Sequence, residues 1–192
     1  MLEFTWAWTD GAYYQHNQKL HFESDVVGGY LENSKQDSFS EARPQLVRTF
    51  HLLAGLPKRL ERDPLLLGEL EVPRIGLSIM VRQGVDDVTL RRAAGHLPSS
   101  ALPGERGNSV ILGHRDTFFR GLRELERGDT VRISTARGQF TYEVESIEVV
   151  EPDHINLTAA PSDAVATLIT CFPFKYVGPA PRRFVARARL ID

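Results

Sequence analysis

From Leu67 to the C-terminus the chain is divided into short runs of β-forming residues with turn residues between them, and this texture constrains the fold more than any other feature. The clearest piece is 129–151. Residues 129–135 and 140–151 alternate β-branched with polar residues on either side of Ala136-Arg137-Gly138-Gln139, which predicts a β-hairpin. Residues 68–84 read as two strands broken at Pro73 and Gly76. A short apolar strand enters a loop at Gly113, 164–171 is a buried strand, and 182–190 is a last strand. On that last strand Phe184, Ala186, Ala188 and Leu190 share one face, and Arg183, Val185, Arg187 and Arg189 share the other. A helix is expected from Asp86, a capping residue, to Ala94, with Gly95 ending it. A second short helix is expected to begin near Asp116, and a turn lies at Gly128-Asp129. About eight short strands with little helix predict an all-β fold, closed or nearly closed into a barrel; a two-sheet sandwich meets the same pattern.

Residues 1–66 differ in character and read as an N-terminal extension and linker, leaving 67–192 as the barrel domain. The extension is expected to be helical only in pieces, with a linker at 33–45 and a short helix before Pro57. Its start, MLEFTWAW, is apolar and aromatic but stops at Asp10, short of the ~18 to 20 apolar residues of a membrane helix. It reads either as an amphipathic segment or as the last turns of a membrane helix, since Trp6, Trp8, Tyr13 and Tyr14 are residues favoured where a helix leaves a bilayer.

Charge and composition exclude several functions. At a formal net charge of −2 the chain has no overall basic field for nucleic acid. The basic residues near the C-terminus, Arg182, Arg183, Arg187 and Arg189, alternate with apolar ones as a polar strand face does. A single cysteine permits neither an intrachain disulfide nor a cysteine-based zinc cluster. The histidines form no HxH or HExxH pair, so no metal site is expected.

Chemistry then centres on three side chains. Cys171 ends an apolar strand immediately before Phe172-Pro173, where the proline stops the ladder and leaves the thiol at a strand mouth. His114 has the same placement after Val110-Ile111-Leu112-Gly113, and the glycine is read as the point where the backbone turns. Arg183 faces away from Phe184 and offers a fixed cation with several donors. Taken singly, each has a plain reading: a core cysteine, a turn histidine, a solvated strand arginine.

The local sequences around them select a family. Thr167-Leu168-Ile169-Thr170-Cys171 matches the TLxTC motif of sortases. The segment from Cys171 through Phe172-Pro173-Phe174-Lys175-Tyr176-Val177-Gly178-Pro179-Ala180-Pro181-Arg182-Arg183 to Phe184-Val185 resembles class D sortases closely, as does Gly113-His114-Arg115-Asp116-Thr117-Phe118-Phe119-Arg120-Gly121-Leu122. Gly95-His96-Leu97, with Ala101-Leu102-Pro103-Gly104 and Gly107-Asn108, extends the likeness to roughly residues 68–192.

The resemblance implies a closed eight-stranded sortase-like β-barrel with short connecting helices, preceded by the partly helical extension. It implies a catalytic Cys171, His114 and Arg183, with Arg182 as the competing arginine. Arg183 is preferred because it directly precedes the Phe184-Val185 pair. Thr170 is read either as binding substrate beside the thiol or as a β-branched strand residue. Asp116 is read as orienting His114 or, ahead of that, as a helix cap, and His96 is given a structural role.

The implied reaction is cysteine transpeptidation of an LPxT-like C-terminal sorting signal of surface proteins, through a thioester, onto an amine acceptor of cell wall or pilin. No cofactor is required for it. An extracytoplasmic, membrane-associated place at the cell surface is expected, held through an N-terminal helix that is missing or truncated, with no export signal in the chain. A cysteine peptidase that hydrolyses the signal, and a non-catalytic surface-binding barrel, are the competing readings.

Overall fold

The computed structural model describes residues 11–23, 63–158, 163–176 and 178–192. Eight strands form a closed barrel: β1 Leu66–Val72, β2 Leu77–Gln83, β3 Ala94–His96, β4 Gly107–Leu112, β5 Thr130–Thr135, β6 Gly138–Val150, β7 Ala164–Phe172 and β8 Arg182–Leu190. Their order is β1-β2-β3-β4-β7-β8-β6-β5, and β5 pairs back onto β1. Closure decides for the barrel over the sandwich and leaves no open sheet edge.

The expected hairpin is β5 and β6, in register from Thr130↔Glu143 to Thr135↔Gly138. Most neighbours are antiparallel; β2 with β3 and β4 with β7 run parallel. A parallel pair delivers both C-terminal ends to the same rim, and an antiparallel partner starts there. The ends of β4 and β7 and the beginning of β8 therefore meet at one end of the barrel.

Alternation places Leu70, Ile79, Val81, Ile111, Ile133, Tyr142, Leu168, Phe184 and Ala186 in the buried core. Burying each large apolar side chain contributes about 1.5–3 kcal/mol, so the core is the main source of stability. The connection after β4 adds Phe119 and Leu122, both fully buried. The helix expected near Asp116 is instead a 3-10 turn, Arg120–Glu124, capped by Phe119 with no side-chain cap. Phe119 and Leu122 are spaced by three, and the tighter 3-10 spacing stacks such positions on one side, here the core side.

The helix expected from Asp86 is Asp87–Arg92 (α2; α1 is residues 11–23). Asp86 caps it as expected, accepting from the backbone N–H of Val88 and Thr89 at 3.0 Å each. Its end differs: Ala93 is already extended, and Gly95 lies inside β3, paired with Arg82. A side chain at Gly95 would bring its Cβ to 2.3 Å from the Gly84 carbonyl oxygen, so the glycine serves strand contact and not helix termination. Three residues carry no readable period, which is why β3 is invisible in the sequence.

Helix α1 rests on β1, β2 and α2. Tyr14 donates to Asp63 Oδ2 at 2.6 Å, and Gln15 Nε2 donates to the Arg92 carbonyl at 2.8 Å. Lys19 reaches Glu69 and Ser78, and Asp63 in turn pairs with the buried Arg82. The apolar start, the linker at 33–45 and the helix expected before Pro57 lie outside the described residues. No helix among the described residues is long and apolar enough to cross a membrane.

His96 is fully buried in β3. Its Nε2 faces the Ala101 carbonyl at 2.9 Å, an acceptor only, so Nε2 carries the hydrogen. Nδ1 faces Gln83 Oε1 at 3.0 Å, and with Nε2–H committed to Ala101 a neutral ring is satisfied there when the amide is turned over so that its NH2 donates. Burial holds the ring below its ordinary value of 6.5, against a smaller opposing effect of the Ala101 carbonyl. Above that value folded and unfolded chains are both neutral; below it the unfolded chain takes up a proton that the folded chain refuses. Stability should therefore fall with acidification below 6.5. The drop in Tm from about pH 7.5 to about pH 5.5 is expected to be smaller in His96→Gln than in the unaltered protein; equal drops would contradict this linkage.

Candidate active site

Strand register places the expected residues. In the β7–β8 ladder Cys171 is the direct partner of Arg183, and Phe172 that of Arg182. Directly paired side chains project to the same face, and successive residues alternate. Thus Cys171 and Arg183 share a face, and Arg182 projects to the other, where its guanidinium carbon lies 5.2 Å from the centroid of the Phe172 ring. Two residues below the Cys171–Arg183 pair on that shared face are Ile169 and Val185, also paired. With Val110 they form a second apolar cluster outside the main core, flanked by Leu97, Leu112, Val150 and Ile155.

His114 reaches the same rim from β4. Leu112 pairs with Ile169 in the parallel ladder, and the Gly113 N–H continues it by donating to the Ile169 carbonyl at 3.2 Å. His114 stands two residues past Leu112, as Cys171 stands two past Ile169. The Phe119 N–H donates to the His114 carbonyl at 2.9 Å and closes the following turn. Cys171, His114 and Arg183 are all partly accessible.

Gly113 has a different reason from the one expected. Its φ is not among the positive ones, so no left-handed turn requires it. The Phe119 ring does: a Cβ at Gly113 would lie 2.8 Å from that ring. The buried phenyl packs directly on the backbone next to His114.

Thr170 is buried and alternates to the inner side, away from Cys171. Its hydroxyl donates to the Gly113 carbonyl at 2.6 Å and so bolts β7 to the foot of His114. Asp116 is exposed and makes no hydrogen bond or ion pair among the described residues. Arg183 donates through Nη1 to the carbonyls of Ala180 and Arg182, at 3.0 Å each. Its Nε and Nη2 make no hydrogen bond among the described residues. Among those residues, no group of three His, Cys, Asp or Glu comes together as a metal site.

A groove runs on from the outer apolar cluster, lined in part by Val150, Ile155, Val185 and Arg187. Its loop wall was not legible in the sequence. Three successive carbonyls there accept side-chain donors: Arg187 reaches Asn156 at 3.2 Å and Thr158 at 2.9 Å, and Asn108 reaches Leu157 at 3.0 Å. Thr167, fully buried, donates to Asn108 Oδ1 at 2.7 Å and fixes that amide. A polar pair within two apolar strands was the available signal.

Residues 70–191 match the family model of the sortase domain. Sortase D of Bacillus subtilis is 40% identical over 119 residues, covering 62% of this chain and 60% of its own length. The chain thus spans less than two thirds of that relative. Among solved structures, Streptococcus pneumoniae sortase C superposes with a TM-score of 0.63 at 26% identity, over 72% of this chain and 74% of its own. Sortase C1 of GBS Pilus Island 1 shares the fold at a TM-score of 0.69 and 24% identity, over 93% and 92%.

The local architecture makes two substitutions informative. Thr170→Val keeps the shape but leaves the buried Gly113 carbonyl without its donor, at an expected cost of about 1–3 kcal/mol. Gly113→Ala drives a methyl into the Phe119 ring, with an expected cost of about 1–3 kcal/mol. Urea denaturation reads both as a lowered midpoint at unchanged slope; losses below about 0.5 kcal/mol would contradict the bolting role.

Proposed function

Because this chain belongs to the sortase family, its sortase domain spanning residues 70–191, we propose that it is a cysteine transpeptidase acting on sorted proteins at the bacterial cell surface. Cys171 is the nucleophile, His114 the proton carrier and Arg183 the oxyanion donor. The observation that carries the assignment is the Cys171↔Arg183 pairing across β7 and β8, beside the β4 end that leads into His114.

In this reading an LPxT-like signal lies along the outer groove. Its apolar residues rest on the cluster of Val110, Ile169 and Val185. An imidazolium beside the thiol favours the thiolate. The Cys171 sulfur attacks the threonine carbonyl carbon, and the carbonyl electron pair moves onto oxygen. Arg183 stabilises that oxyanion; its Nε and Nη2, without hydrogen bonds among the described residues, support the role, since Nη1 is already committed to the carbonyls of Ala180 and Arg182. As the intermediate collapses, His114 protonates the leaving amine and a thioester remains. An incoming amine of wall or pilin then attacks, His114 takes its proton, and sulfur leaves as the thiolate with a new amide formed.

Thr170 serves through position: it holds Gly113, and so His114, against β7. Asp116, exposed and without a hydrogen bond or ion pair among the described residues, is given no comparable part. The site of action is extracytoplasmic, with membrane attachment through sequence before the barrel. No metal or organic cofactor enters the chemistry.

The test is turnover of a fluorogenic LPxT-type peptide panel with and without an added amine. Cys171→Ala should abolish cleavage, and Arg183→Ala should lower kcat by about 10²–10³-fold, the loss typical of one oxyanion donor. Arg182→Ala should stay within a few-fold of the unaltered protein. Full turnover in Cys171→Ala, or loss confined to Arg182→Ala, would overturn the assignment; hydrolysis without amide product would favour the peptidase reading.

A further inference from the structure

The loop between β7 and β8 joins Cys171 to Arg183, and it is held by the residue next to His114. Arg115 Nη2 donates to the carbonyl of Tyr176 at 2.8 Å and to that of Gly178 at 3.0 Å. The same guanidinium lies over the Tyr176 ring, its carbon 5.6 Å from the centroid. Arg115 is itself half-buried, and its Nη1 is shielded from solvent without a hydrogen-bond partner among the described residues.

The start of this loop is anchored by Phe174, whose ring packs edge-on against Phe172 and Phe184 at the barrel core; beyond it the loop has little else to fix it. Lys175, Tyr176, Gly178, Pro179 and Pro181 are all exposed. Among the described residues, the side chains donating to its backbone are Arg115 and, at Ala180, Arg183. Gly178 takes φ 106°, a conformation open to glycine, which presents its carbonyl to the same guanidinium as Tyr176. A planar guanidinium can serve two carbonyls and stack on a ring together; a lysine ammonium cannot reproduce that geometry.

We propose that Arg115 is a positioning residue for acyl transfer, clamping the β7–β8 loop so that Cys171 and Arg183 keep their place beside His114. The inference rests on the sortase reading above. The contacts run from one side of the site to the other: His114 to Arg115 along the chain, Arg115 to Tyr176 and Gly178, Ala180 to Arg183, and Arg183 to Cys171 across the ladder, with the β4–β7 ladder joining the two ends below. Releasing the clamp frees the segment from which Arg183 enters β8. Displacement of about 1 Å at a reacting centre can cost on the order of 10²-fold in rate, so a contact outside the chemistry suffices to matter.

Two readouts test this on the full chain. In peptide turnover, Arg115→Ala should lower kcat by about 10- to 100-fold with KM changed less than about threefold, and Arg115→Lys should fall between. In hydrogen–deuterium exchange without substrate, residues 173–181 should exchange faster in Arg115→Ala while the barrel strands stay as protected as before. A rise in KM at unchanged kcat would mean that Arg115 touches substrate, and unchanged kinetics would mean that it is an ordinary surface arginine; either overturns the proposal. Unchanged exchange in 173–181 overturns it as well. Failure of the unaltered protein to cleave any peptide would instead sink the sortase reading beneath it, with the exchange comparison still deciding whether the loop is clamped.

Discussion

The parallel pairing of β4 with β7 is the constraint on which the rest depends. Had these strands run antiparallel, the end of one would lie beside the start of the other, and His114 and Cys171 would sit at opposite ends of the barrel. Running parallel in the register Leu112↔Ile169, they deliver both residues to one rim. The antiparallel β8 then begins at that rim and sets Arg183 opposite Cys171. Side chains distant in sequence are thus gathered by backbone hydrogen bonds, before any contact among themselves.

Backbone carbonyls near the rim are held by side-chain donors. Thr170 takes the Gly113 carbonyl, Asn108 and Arg187 take three in the loop after β6, and Arg115 and Arg183 take those of the loop after β7. Loops carry their own unpaired polar backbone groups, and such bonds limit their movement while satisfying them. The core contributes from below: Phe119, pressed on Gly113, anchors the segment after His114 into the barrel interior. The groove is floored by β6 and β8, and its loop wall after β6 is fixed at a few named points to rigid strands.

Much of the fold was legible because long strands advertise their period. β6 and β8 alternate over enough residues for inward and outward faces to be assigned, and Asp86 announces its helix by the chemistry of capping. β3 is too short to show a period, and it claimed the glycine that looked like a helix end. Gly113 illustrates a second limit: sequence says that a side chain is missing there, but not that a phenyl ring from six residues on occupies the space. Which of Arg182 and Arg183 shares a face with Cys171 is a matter of register, since adjacent residues on a strand face oppositely and the pairing with β7 puts Arg183 on the thiol side. The donors to loop carbonyls were hidden for the same reason, being long-range contacts with no local pattern.

What the geometry joins, chemistry should label. The protein incubated with an LPxT-type peptide, quenched in acid and digested, should yield the Cys171-containing fragment carrying the acyl portion of the peptide as a thioester, and addition of an amine before quenching should remove it. Intact turnover with no such adduct, or an adduct at another residue, would contradict the convergence of sulfur, imidazole and guanidinium at this rim.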